Sequence, residues 1–295
     1  MNNKDNEKSG TILNDKYPPQ AHMLRDLQIT LEHKSEGRAT IHAPVVREVC
    51  TSQGAMHAGI ISILVDALGG SVSLRAAYPD WTVTKKLSIC ISKPARDGMV
   101  VAKSSTLHVK QSEILSEIDI FQETNNPLQP MTSIGSAIVT SLILPRKEYN
   151  LDFKINENET ETWHFATETS GLTKPYRDKV GLRIINEATG VVEIGLSDYF
   201  LNSFGAIQGG MVAFLADISG QCAAQAASGK SLTTCDLEIY YLAQGKVGPF
   251  RTRAKVLRST NDTVLTRVEI VDVGAEYRLL TVAMNTAIFD ETLHS

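Results

Sequence analysis

Two long apolar runs dominate the pattern of the chain. The first extends from Met56 to Ala77 and the second from Gly210 to about Ala227. Both are apolar on every side of a helical wheel, which predicts two buried helices. Each follows a glycine-bearing turn, Gly54-Ala55-Met56-His57-Ala58-Gly59 in one case and Gly205-Ala206-Ile207-Gln208-Gly209-Gly210 in the other. Each also carries a single carboxylate: Asp66 between His57 and Leu74, and Asp217 between Gln208 and Gly229. An ionised carboxylate inside an apolar helix is costly unless it is paired or hydrogen-bonded. Its presence twice, nine residues after His57 and nine after Gln208, points to chemistry.

Shorter alternating runs flank both helices. Leu27 to Glu32 and Arg38 to Ala43, parted by Ser35-Glu36-Gly37, predict a hairpin before the first helix. Four strands are predicted after it, over Thr82 to Lys93, Gly98 to Lys110, Ile114 to Gln122 and Ser133 to Leu144. The pattern restarts with strands over Gly181 to Ile185 and Val191 to Leu196. After the second helix, strands follow near 231–243, 249–258, 263–273 and 277–289. The halves superpose by sequence. Gly54 and Asp66 match Gly205 and Asp217 at an offset of 151, Leu107 and Ile120 match Leu257 and Ile270 at 150, and Ala137 and Thr140 match Ala283 and Thr286 at 146. Offsets that change only at loops are the signature of a duplicated fold. The expected organisation is a disordered segment at 1–20, a domain at 21–145, a linker at 146–161 and a second domain at 162–295. A short helix is expected over Thr162 to Gly171. The expected fold class is α+β, each half a long central helix wrapped by a curved antiparallel sheet.

Composition narrows the function. The net charge of -4 recruits no nucleic acid, which favours a basic face. The four cysteines show no ligand spacing and read as small, reduced core residues of a cytoplasmic protein. The polar start of the chain lacks the apolar core of a signal peptide. The central Asp and the interspersed Gly, Ser and Gln argue that neither helix spans a membrane. No cofactor and no metal are expected, because no Cys/His cluster is present.

The glycine turn before a central helix carrying Asp resembles the hotdog fold, and more narrowly the acyl-CoA thioesterases of the phenylacetate-degradation and 4-hydroxybenzoyl-CoA type. Their motif is an Asn, six residues, His-Gly-Gly, then an Asp nine residues after the His. The second half carries Asn202, Gln208-Gly209-Gly210 and Asp217, with Gln in place of His. The first half carries Thr51, His57-Ala58-Gly59 and Asp66, and so lacks the Asn and one Gly. Nine helical residues span about 13 Å, too far for an Asp to serve its own helix start. Antiparallel packing of the two helices, which the resemblance implies, would create two hybrid sites. Site A joins Asp66 to Asn202, Gln208, Gly209 and Gly210. Site B joins Asp217 to Thr51, His57, Ala58 and Gly59.

The resemblance further implies that Asp activates water or attacks the thioester, that helix-start N–H groups stabilise the oxyanion, and that Asn202 orients water or carbonyl. Thr84 and Thr234 match an assisting Ser or Thr on the following strand. Asp66, Asn202, Gly209, Gly210, Thr84, Asp217 and His57 are the catalytic candidates. Gln208, Ala58, Gly59 and Thr234 are the substrate-binding candidates. Site A keeps more of the motif and ranks first. Ile61, Val65, Phe214 and Tyr240 are expected to shape the acyl pocket. Blander readings stand beside these: structural aspartates, a turn histidine, ordinary strand threonines, Trp81 and Trp163 as packing residues, and Lys85, Lys86, Lys93 and Arg96 as a solvated edge rather than a phosphate patch. The expected partner is an acyl-CoA substrate, with a homo-oligomer of the tandem unit left open. A non-catalytic acyl-CoA-binding protein is the alternative. A hotdog dehydratase is disfavoured, since neither helix pairs Asp and His closely.

Overall fold

A computed structural model describes residues 17–34, 37–126, 128–147 and 160–289. The expected disorder at 1–20 and the linker at 146–161 lie mostly outside the described residues. In the first half, a short helix α1 (Met23–Asp26) leads into β1 (Thr30–Lys34) and β2 (Arg38–Pro44), then α2 (Ala58–Ala77), then β3 (Trp81–Ile91), β4 (Met99–Val109), β5 (Glu113–Glu123) and β6 (Thr132–Leu144). The second half repeats this order. After β7 (Glu161–His164) come α3 (Tyr176–Lys179), β8 (Arg183–Asn186), β9 (Val191–Ile194), α4 (Gly209–Ser228), β10 (Leu232–Tyr241), β11 (Phe250–Ser259), β12 (Thr263–Asp272) and β13 (Arg278–Phe289).

The thirteen strands of the described residues form one sheet in the order β7-β1-β2-β4-β5-β6-β3-β10-β13-β12-β11-β9-β8. The halves join edge to edge at β3 and β10, antiparallel, with Leu87 opposite Ile239 and Lys86 opposite Tyr240. Lys86 also pairs with Glu238 across this seam. The duplication extends to irregularities. A bulge breaks β3 between Thr84 and Lys86 and β10 between Thr234 and Asp236. Another breaks β4 between Thr106 and His108 and β11 between Val256 and Arg258. Bulges re-aim side chains, and the first pair turns Thr84 and Thr234 toward the helices.

Helices α2 and α4 lie inside the curved sheet and against each other. Helix α2 is long and apolar enough to cross a membrane, yet most of its residues, Ile60 through Val65 among them, are buried in the protein. One core cluster runs through both halves, taking Ile63 and Val65 from α2 and Phe214 and Leu215 from α4. Glycine sets how closely the helices cross. A Cβ on Gly59 would stand 2.7 Å from Phe214 Cα, and one on Gly210 would stand 2.6 Å from Ile63 Cα.

Three expectations are corrected. Residues 161–164 form a strand, not the start of a helix, and pair with β1: Leu31 faces Trp163 and Thr30 faces His164. Thr and Trp favour strands, and the open edge of β1 supplies hydrogen-bonding partners that outweigh a local helical preference. The element drawn as the start of the second domain thus extends the sheet of the first. Tyr240 is 40% exposed and lies on the outer face opposite Lys86. The cysteines are not all core residues: Cys90 is exposed and the other three are half-buried, Cys50 and Cys222 packing against the core.

Replacing Gly210 with Ala should force α2 and α4 apart at their crossing. Overpacking of this kind costs about 1–3 kcal/mol. Urea unfolding of Gly210→Ala should show a lower midpoint with little change in slope, and an unchanged midpoint would contradict the crossing geometry.

Candidate active site

The antiparallel helices bring each aspartate to the start of the other helix. At site A, the Gly210 N–H donates to Asp66 Oδ2 at 2.8 Å. At site B, the Gly59 N–H donates to Asp217 Oδ2 at 2.8 Å. The first turn of a helix leaves its N–H groups without internal acceptors and carries a partial positive charge, so a carboxylate is well placed there. The sequence-predicted hybrid sites are therefore assembled, each from both halves.

At site A the Thr84 hydroxyl donates to Asp66 Oδ1 at 2.9 Å. Asp66 is 7% exposed, and burial pushes its carboxyl above the usual range, opposed by Thr84 and the Gly210 N–H. A Cβ on Gly209 would come within 2.8 Å of Asp66 Oδ1, so a larger residue there would displace the carboxylate. Among the described residues no acceptor takes the Gly209 N–H. Tyr241 donates its hydroxyl to the Gly209 carbonyl at 3.0 Å and steadies this turn. Gln208 holds the N-cap position without a side-chain hydrogen bond to the helix start and lines the cavity, with its carboxamide oxygen unpartnered among the described residues.

Asn202 has a more local role than expected. Its Oδ1 accepts from the Phe204 N–H at 2.9 Å and the Ala206 N–H at 3.1 Å. That oxygen holds the loop in place, so Asn202 positions Gln208 and Gly209 instead of directing water through Oδ1. Thr51 is its weaker counterpart, accepting one N–H, from Gln53 at 3.3 Å.

A cavity of about 360 Å³ opens at site A, lined mostly by apolar groups with Asp66 and Thr84 at its polar part. Leu74, Trp81, Leu142, Trp163, Phe204 and Val212 make much of the apolar wall. Trp81 and Trp163 thus pack, as read from the sequence, and also face the cavity. The residues expected to shape it are absent from its lining: Tyr240 faces outward, Ile61 and Val65 are buried in the helix core, and Phe214 borders the other site.

Site B differs. Asp217 is fully buried and accepts from Thr234 at 2.6 Å and from Gln221 Nε2 at 2.9 Å as well as from Gly59. His57 Nδ1 stands 3.9 Å from Asp217 Oδ2, beyond hydrogen-bond reach, and packs edge-on against Phe214. Burial holds its imidazole below the usual pKa against the pull of Asp217, which keeps it neutral near pH 7. Ala58 supplies the N–H where site A has Gly209. Of the basic cluster, Lys85 pairs with Glu113 at 2.6 Å and borders the site A cavity, Lys86 pairs with Glu238, and Arg96 borders the site B groove.

Comparison with known proteins fits this geometry. The thioesterase superfamily model matches residues 204–276. No curated protein matches. Among solved structures, an acyl-ACP thioesterase from Bacteroides thetaiotaomicron is 10% identical, covers 86% of this chain and 100% of its own, and superposes with a TM-score of 0.55. The tesB protein of Mycobacterium avium subs paratuberculosis is 11% identical, covering 88% and 95%, with a TM-score of 0.58. A hot dog fold protein of unknown function from Alicyclobacillus acidocaldarius is 10% identical, covering 86% and 94%, with a TM-score of 0.57.

The chain is a double hotdog. Its two sites contain residues that motif reading overlooked. Tyr241 has no motif to announce it. Gly70 and Gln221 do carry a signal, since they fall at the same place when the halves are aligned at the offset of 151 and their residue types differ sharply.

Losing the Asn202 oxygen leaves two loop N–H groups of the double hotdog without their acceptor. Hydrogen bonds of this kind contribute about 0.5–1.5 kcal/mol each. Asn202→Ala should lower stability by about 1–3 kcal/mol in urea titrations; no loss would show that the loop is held by other means.

Proposed function

We propose that this double hotdog hydrolyses acyl-CoA thioesters to free acid and CoA at site A. The observation that carries the reading is Asp66, fixed between the Gly210 N–H and the Thr84 hydroxyl at the edge of an apolar cavity, beside an uncommitted Gly209 N–H. The thioesterase superfamily match and the thioesterase fold neighbours support thioester hydrolysis in general. The CoA carrier rests on the resemblance of the Asn202, Gln208-Gly209-Gly210 and Asp66 constellation to acyl-CoA thioesterases. A cytoplasmic setting belongs to the same proposal and is supported by four unpaired thiols.

The step balances without a cofactor. Asp66 takes a proton from water as the water oxygen bonds to the thioester carbonyl carbon. The negative charge that grows on the carbonyl oxygen is met by the Gly209 N–H and the positive end of α4. The tetrahedral adduct collapses, the C–S bond breaks, and the thiolate leaves and takes up the proton. Thr84 holds the carboxylate in one orientation through these steps. The apolar wall receives the acyl group and keeps bulk water out.

Removing the base should remove the rate. Asp66→Asn should lower acyl-CoA hydrolysis by about 10²–10⁴-fold, the usual contribution of a general base, while Asp217→Asn should reduce it far less. Melting temperatures control for folding. The ionised carboxylate is the working form, and burial raises its pKa. The acid limb of kcat against pH should therefore rise at a pH above the ordinary aspartate value of about 3.9 and vanish in Asp66→Asn. Equal losses from both aspartate variants would defeat the assignment to site A. Binding of acyl-CoA without any hydrolysis would leave a binding protein instead.

A further inference from the structure

The two aspartates are equivalent by position but not by access. Four residues after Asp66, one helical turn on, stands Gly70. A Cβ there would meet nothing within 4 Å, and Gly70 lines the cavity beside Asp66. Four residues after Asp217 stands Gln221, 6% exposed. Its carboxamide nitrogen donates to Asp217 Oδ1 at 2.9 Å and to Thr234 Oγ1 at 3.1 Å. Asn285, aligned with Val139 of the first half, donates to the same threonine at 3.0 Å. Asp217 Oδ1 thus receives two protein donors, where Asp66 Oδ1 receives one, from Thr84.

The space beyond gives the same result. A groove of about 1340 Å³ runs past site B and is lined by His57, Phe214 and Gln221, but not by Asp217. The cavity at site A reaches Asp66 itself. Gln221 lines the groove and Asp217 does not, whereas Gly70 and Asp66 both line the cavity. One further lining position changes from apolar to polar: Gln225 borders the groove where Leu74 borders the cavity, at the same offset of 151.

We infer that the residue one turn after the carboxylate is the gate of each site: Gly70 leaves site A open to an acyl thioester, and Gln221 shuts site B, so that one chain takes up one acyl group. The inference rests on the proposed function for its ligand class but not for its outcome. The test is calorimetric titration with octyl-CoA thioether, an acyl-CoA analogue that cannot be hydrolysed. The wild type should bind one equivalent. Gln221→Gly should bind two, and Gly70→Gln none, with melting temperatures confirming that each is folded. Trp81 and Trp163 are the only tryptophans of the chain and both line the site A cavity. Thioether binding at site A should therefore change tryptophan emission in the wild type and in Gln221→Gly, and not in Gly70→Gln. Two equivalents in the wild type, one in Gln221→Gly, or undiminished binding in folded Gly70→Gln would each overturn the gate. The count in Gln221→Gly decides the matter should Gly70→Gln fail to fold. A wild type that binds the thioether yet hydrolyses no acyl-CoA would remove the proposed reaction and leave the gate standing. Absence of binding in every protein would remove both.

Discussion

The structure depends on two reciprocal hydrogen bonds, each from the start of one buried helix to a carboxylate in the middle of the other. Asp66 with the Gly210 N–H and Asp217 with the Gly59 N–H fix the crossing of α2 and α4. Each bond compensates a group that would be expensive alone: a carboxylate without water, and a helix-start N–H without a carbonyl. Because both bonds need short approach, both need glycine where the helices touch. The sheet then wraps a pair whose relative position is already determined.

That constraint makes the two aspartates structural in the same sense, and it leaves one of them free for the proposed chemistry. At site A the carboxylate receives two bonds and keeps a side toward an apolar cavity. At site B Gln221 adds a third bond, and the aspartate is enclosed. Hydrogen-bonding capacity left over in a buried carboxylate is what a base requires. Three protein donors on one enclosed carboxylate give rigidity instead. The same backbone frame thus supports either outcome, and side chains one turn further along the helix select between them.

Much of this was legible in the sequence. The all-round apolar character of Met56–Ala77 announced a helix that something must enclose, and the offsets of 151, 150 and 146 announced that the enclosure occurs twice. The 13 Å between a helix start and its own Asp excluded pairing within one helix, and the family resemblance implied the antiparallel packing that pairs the halves. Other features were not local enough to read. Glu161–His164 became a strand because β1 had an open edge, a fact of tertiary contact. Asn202 spends its oxygen on its own loop, which no spacing discloses. Tyr241 reaches the Gly209 carbonyl, and Tyr240 turns outward, because a β-bulge resets the alternation upstream. Gln221 was visible as a residue opposite Gly70 in the repeat, but its meaning needed the third dimension.

The seam between β3 and β10 has a consequence for what the halves are free to become. When two identical chains meet about a twofold axis, any change appears on both sides, and each contact must complement its own mirror. Here the halves are one polypeptide, so partner concentration is set by the connection rather than by solution. Self-complementarity is no longer required. Ile63 can face a glycine on one side while Phe214 faces one on the other, and a plug can fill one site without filling its twin. Covalent joining converts a symmetric pair into two separately adjustable positions, one open to a cavity and one enclosed to hold the assembly together.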